Sequence, residues 1–248
     1  MAMQTFLHQE GHLMSESDNV LQRLQENAAV IEERIQQACL RARRPRHAVT
    51  VIPVTKYVDT AVIRKMQQLG FQAFGESRPQ SLWEKAAAVP KAYWHLIGHL
   101  QRNKVERTLP LVTLIHSVDS QRLLLAIEEE ARKINRVQEV LLELHMTDEE
   151  TKTGIAEKEW PRIPDWLAEL HHVKVTGLMG MSALQSDDAH ARKVFAKLRH
   201  QAETMQLPSP HELKHLSMGM TQDFEEAIQE GATLVRIGSA YFEGMPES

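Results

Sequence analysis

The chain has a single cysteine, Cys39, among 248 residues. An internal disulfide is therefore excluded, a cysteine-based zinc site is not expected, and a reducing cytoplasm suits the composition. Aromatic residues make up only 5% of the sequence, so the core must be mostly aliphatic. No apolar run approaches the roughly 18 residues of a membrane span, and no membrane partner is expected. Positive charge is not in excess: the formal net charge is −4. The one basic knot, Arg41-Ala42-Arg43-Arg44-Pro45-Arg46, follows a helical pattern whose carboxyl end it complements. A nucleic-acid-binding role is not expected. The thirteen histidines are scattered without metal-ligand spacing, so no metal is expected. Residues 1–14 lack the continuous apolar core of a signal peptide and read as a flexible tail. No long apolar stripe calls for an obligate dimer, and a monomer is expected.

What is present is alternation. A helix opens the chain, with Ser17 or Asp18 as its cap and Val20, Leu24, Ala28, Ile31 and Ile35 at helical spacing. Short apolar runs then read as strands at 49–55, 71–75, 93–97, 112–117, 138–145, 173–179, 214–217 and 233–237. Helical patterns follow them near 59–69, 78–88, 100–108, 120–134, 157–171, 187–206 and 222–230. Eight strand–helix pairs predict an α/β fold: one (β/α)8 barrel of the TIM type over residues 15–248, with an extra N-terminal helix. An open doubly wound sheet is the alternative.

In such a barrel, function lies at the carboxyl ends of the strands. The first strand ends at Lys56, placed to act as a Schiff-base nucleophile if strand burial strips water from its ammonium. The seventh strand ends Ser217-Met218-Gly219-Met220-Thr221, with Thr221 expected to cap the next helix. The eighth carries Arg236 and ends Gly238-Ser239. Hydroxyls and glycine N–H groups after strands 7 and 8, with an arginine between them, suit a phosphate. A phosphate site beside a lysine suggests a phosphorylated carbonyl compound. That is either a sugar phosphate in a lysine-dependent aldolase or pyridoxal 5′-phosphate (PLP). Strands 1 and 8 are neighbours in a closed ring, a short span that suits PLP. His95, in the third strand, is either a proton donor near the cofactor or a core histidine. His99 is expected on the following helix, and His171-His172 on a helix with diverging side chains. Glu143, in the fifth strand, faces the interior or solvent.

These segments resemble a known family. Val54-Thr55-Lys56-Tyr57, Phe74-Gly75-Glu76-Ser77-Arg78, Trp94-His95-Leu96-Ile97-Gly98-His99-Leu100-Gln101-Arg102-Asn103-Lys104, Leu216 to Thr221 and Val235 to Ser239 occur in order. Thr151-Lys152-Thr153-Gly154 is similar to a further family segment. The set resembles the pyridoxal phosphate homeostasis proteins, across residues 18–244. The resemblance implies a barrel like the N-terminal domain of alanine racemase. It implies PLP held as an aldimine of Lys56, phosphate contacts from Ser217, Gly219, Gly238 and Ser239, Arg236 near the cofactor, and methionines such as Met218 lining the pocket. Ser77 and His95 join this cofactor-binding set. The family is associated with vitamin B6 and amino-acid balance. No catalytic residue and no robust turnover are implied, and PLP-dependent apo-enzymes are candidate recipients. A PLP-dependent amino-acid racemase is the alternative. The sequence departs from the family at Ser77, where an asparagine is usual, at Pro79, and at His145, also usually asparagine.

Overall fold

The computed structural model describes residues 16–146, 153–183 and 187–245. The expected tail at 1–14 lies outside them, as do Thr151 and Lys152. In chain order the elements are α1 (Glu16–Arg41), β1 (Thr50–Pro53), α2 (Thr60–Gln68), β2 (Ala73–Glu76), α3 (Pro79–Ala88), β3 (Tyr93–Leu96), α4 (Val105–Thr108), β4 (Val112–Val118), α5 (Gln121–Lys133), β5 (Gln138–Glu143), α6 (Ile163–Leu167), β6 (Val173–Met179), α7 (Asp188–Thr204), β7 (His215–Ser217), α8 (Phe224–Gln229) and β8 (Leu234–Ile237). A 3-10 turn, Ser239–Phe242, follows β8.

All strand pairs are parallel, in the order β1-β8-β7-β6-β5-β4-β3-β2. A bridge between Val54 and Gly75 brings β1 and β2 together, and Thr55 N–H donates to the Gly75 carbonyl at 3.0 Å. The wall is thus a nearly closed barrel of sequential neighbours, and the doubly wound alternative falls.

Strand alternation sorts side chains to the two faces of this wall. Val140, Leu142, Leu216, Met218, Val235 and Ile237 join the large apolar cluster beneath the helices. Leu114, Leu141, Met179 and Leu234 form a separate small cluster, which alternation places inside the barrel. His95, His116, Glu143, Ser217 and Arg236 share the inward parity and are all buried. Glu143, left open by its sequence position, therefore faces inward.

Helix α1 begins at Glu16, so Ser17 and Asp18 lie within it rather than at its cap. It buries Leu24, Ile31 and Ile35. Asn27 Nδ2 donates to the Tyr241 and Glu243 carbonyls at 2.9 and 3.0 Å, tying α1 to the end of the barrel. The basic knot is taken up locally. Arg41 and Arg34 both reach Glu225, Arg46 pairs with Glu32, and Arg44 donates to the Ile228 carbonyl near the end of α8. His171 and His172 follow α6 instead of lying on it. Glu128 accepts from both of their backbone N–H groups and pairs with the His172 ring. Among the described residues no helix is long and apolar enough to cross a membrane.

Candidate functional site

Strand β1 ends at Pro53, and the chain turns before Lys56. Thr55 is fully buried and points outward into the helix layer. Its hydroxyl donates to Glu76 Oε1 at 2.8 Å. Lys85 Nζ, from α3, donates to the same Oε1 at 2.6 Å and to the Thr55 carbonyl at 2.7 Å. Three elements thus clamp the peptide that precedes Lys56. Lys56 itself is exposed, with Nζ 4.7 Å from the centre of the Tyr57 ring. The expectation that the strand would desolvate it is not met, because the strand ends three residues earlier.

On the neighbouring strand stands Arg236, rooted in β8 and buried. Its Nη1 donates to Ser217 Oγ at 2.6 Å, and its Nη2 lies 3.4 Å from the Gly180 carbonyl. Among the described residues no carboxylate is within ion-pair distance. Asp223 and Glu143 act on it only from farther off, and burial pulls its pKa down to about 10. Ser217 Oγ lies 2.8 Å from His116 Nδ1, and His116 Nε2 lies 2.9 Å from His95 Nδ1. Burial lowers the pKa of His95 to about 4 and holds that of His116 well below the ordinary value, so both rings are neutral near pH 7. Glu143 accepts from Thr153 Oγ1 at 2.6 Å. Burial nonetheless raises its pKa, and Asp119 adds to the rise.

A cavity of about 370 Å³ opens at the carboxyl ends of the strands. Five residues of the sequence-based set line it: Lys56, Ser77, Arg236, Gly238 and Ser239. Val54, Ile97, Met181 and Met220 give it apolar walls. Thr221 and Ser182 add hydroxyls, while Asp188 and Asp223 add carboxylates. Asp223 is engaged by the wall itself, for Ser182 Oγ donates to one of its oxygens at 2.5 Å and Met220 N–H to the other at 2.6 Å.

His95, Ser217, Met218 and Gly219 are not among the lining residues. His95 and Ser217 lie beneath the floor, in the chain behind Arg236. Met218 has the outward parity and joins the outer core, so Met181 and Met220 are the methionines at the cavity. Gly219 has φ +86°, and a Cβ there would sit 2.5 Å from Ala227 Cβ. The missing side chain lets the loop pack closely on α8. Thr221 does not cap α8, because its Oγ1 accepts from Gly238 N–H at 3.3 Å and so joins the two loops. Asp223 holds the N-cap position. Gly98 is required by crowding: a Cβ there would sit 2.2 Å from the Ser77 carbonyl oxygen. Pro79 is accommodated at the first turn of α3, where no N–H is needed. His99 is on the loop after β3, with Nδ1 3.1 Å from Asp119 Oδ2, and not on a helix. Sequence reading missed His116 and the Thr55–Glu76–Lys85 clamp. The two-residue spacing of His116 from inward-facing Leu114 was its available signal.

Comparison with known proteins fits this geometry. Residues 20–246 match the alanine racemase N-terminal domain family. The pyridoxal phosphate homeostasis protein of Aquifex aeolicus is 40% identical over 219 residues, covering 88% of this chain and 96% of that protein. The chain belongs to the pyridoxal phosphate homeostasis protein family. Among solved structures, one of an unknown protein from Bifidobacterium adolescentis matches with TM-score 0.86 and 32% identity, covering 91% of this chain and 96% of that one. PipY of Synechococcus elongatus, solved with PLP bound, matches with TM-score 0.75 and 33% identity, covering 86% and 99%.

Proposed function

We propose that this chain binds PLP covalently through Lys56 in the cavity at the barrel mouth. In this reading it serves PLP homeostasis and amino-acid balance, without robust turnover, and PLP-dependent apo-enzymes are its recipients. The observation that carries the proposal is the pairing, in one cavity, of an exposed amine with a buried arginine that has no carboxylate partner among the described residues. A cavity of about 370 Å³ is within the range of small-ligand sites. The residues present fit PLP: an amine for its aldehyde, hydroxyls of Thr221 and Ser239 for its phosphate, apolar walls for its ring and a fixed cation for a polar edge.

When bound, PLP supplies an electrophilic carbonyl and a conjugated ring that can accept electrons. The chain's own groups do the rest. The clamp on Thr55 fixes the backbone that carries Lys56. Thr221 and Gly238 hold the two loops of the β7–β8 rim together. Ile97, Val54 and the two methionines exclude water from the ring space. Arg236 presents N–H donors and remains a cation.

The homeostasis names of the relatives support a carrier reading over an enzymatic one.

The test is hydride reduction of the PLP-loaded protein followed by peptide mapping. The pyridoxyl group is expected on Lys56, and Lys56→Ala is expected to stay unlabelled with its fold intact. Label on another lysine would refute the assignment. Amino-acid racemisation at enzyme-like rates would transfer the reading to a racemase.

A further inference from the structure

The interior of a barrel of this type is ordinarily filled by branched apolar side chains. Beneath the mouth cavity this one holds a continuous polar line instead: Arg236 Nη1 to Ser217 Oγ at 2.6 Å, Ser217 Oγ to His116 Nδ1 at 2.8 Å, and His116 Nε2 to His95 Nδ1 at 2.9 Å. All four side chains are buried.

Their proton inventory fixes the direction of every link. A guanidinium can only donate, so the Ser217 oxygen accepts from Arg236. The hydroxyl proton of Ser217 then needs an acceptor, and the one within reach among the described residues is His116 Nδ1. His116 must therefore carry its own proton on Nε2, where it is donated to His95 Nδ1. His95 in turn carries its proton on Nε2. The reverse assignment would aim two donors at Ser217 and strand its hydroxyl proton in a site closed to water, which buried polar groups avoid.

We infer that His116 and His95 are positioning residues, which fix the Ser217 hydroxyl in the orientation that accepts from Arg236 and thereby aim the remaining N–H groups of Arg236 into the cavity. The inference rests on the proposed PLP site, because Arg236 acts there. With no acceptor for its proton, the Ser217 hydroxyl would be free to rotate away from Arg236, and the guanidinium would then keep only the long 3.4 Å contact to the Gly180 carbonyl. Two neutral rings also keep a second cation away from Arg236.

The first test uses the unloaded wild-type protein with 15N-labelled histidine. Long-range 1H–15N spectra at pH 7 are expected to show both rings neutral, each with its proton on Nε2. A proton on Nδ1 of His116 would overturn the assignment, and this measurement needs no variant and no PLP. The second test titrates PLP into His116→Phe and His116→Asn. Loss of the acceptor in His116→Phe should weaken PLP affinity about tenfold and shift the visible absorbance of the loaded protein. His116→Asn can offer its Oδ1 to the Ser217 hydroxyl and should restore both. Equal PLP affinity and an unchanged spectrum in His116→Phe, with only a lower melting temperature, would reduce the chain to a structural role. Failure of wild-type protein to capture PLP would instead refute the PLP reading, leaving the tautomer result to stand or fall alone.

Discussion

Two buried charges lie on opposite faces of the same barrel wall, and they are treated differently. On the outer face Glu76 is fully buried, but Lys85 meets it at 2.6 Å and Thr55 bonds the same oxygen. On the inner face Arg236 is as deeply buried. Its partners are a neutral hydroxyl and a carbonyl, and Asp223 and Glu143 are too distant to pair with it. A buried ion costs several kcal/mol unless it is compensated. The outer carboxylate has its countercharge within the chain, although its second oxygen, Glu76 Oε2, is buried without a hydrogen-bond partner among the described residues, and so the pair reads as architecture. The inner cation has no close carboxylate among the described residues and lines a cavity, and that contrast supports the binding role proposed for it.

The comparison breaks most visibly on the outer face. Lys85→Met leaves Glu76 buried and unpaired, and removing one partner of a buried pair costs roughly 3–5 kcal/mol. A denaturant titration should show that loss as a lower midpoint. The double variant Lys85→Met with Glu76→Gln should recover much of it, because the stranded charge is gone. No recovery would mean that the clamp on the Thr55 carbonyl, rather than the charge pair, supports this region.

On the inner face the effect should move from stability to binding. Arg236→Met removes an uncompensated cation, so the unfolding midpoint should stay close to wild type or rise. PLP retention should fall, since a hydrogen bond to a charged group is worth about 1.5–3 kcal/mol, roughly ten- to a hundred-fold in affinity. Dialysis against buffer with absorbance detection would follow it. A large loss of stability at unchanged affinity would invert the comparison and return Arg236 to architecture.

The barrel was legible in the sequence because its signals are local. Strands such as β1, β4, β5, β6 and β8 are short β-branched or aliphatic runs, and longer helices such as α2 and α5 carry an apolar stripe. That Lys56, Arg236 and Ser239 would line the mouth of the barrel was legible for a related reason: they stand at or near strand ends. The links between strands were not. His116 and Ser217 are 101 residues apart in the chain yet 2.8 Å apart in space, and no periodicity encodes which inward side chains meet across a barrel. Met218 was misplaced by one step of alternation, since its neighbour Ser217 holds the inward position. The burial of Lys56 was overestimated because apolar residues continue to Val54 although the strand ends at Pro53.

The smallest effect concerns the neutral histidines. Burial chiefly, with a contribution from His215, lowers the pKa of His95 from 6.5 to about 4. The unfolded chain therefore binds a proton that the folded one refuses between those values, and stability falls as pH drops through the window. One pKa unit is worth about 1.4 kcal/mol, so His95 alone should remove about 2 kcal/mol between pH 7 and pH 5. His116 is shifted in the same direction and steepens the fall. Glu143 opposes it, since its pKa is raised by burial and its protonation in acid relieves a buried charge. Comparing denaturant midpoints at the two pH values for wild type and His95→Leu isolates the imidazole. A smaller drop in the variant is the expected result. An identical drop would show that His95 does not carry the acid sensitivity, and that the inner face tolerates a second positive charge beside Arg236.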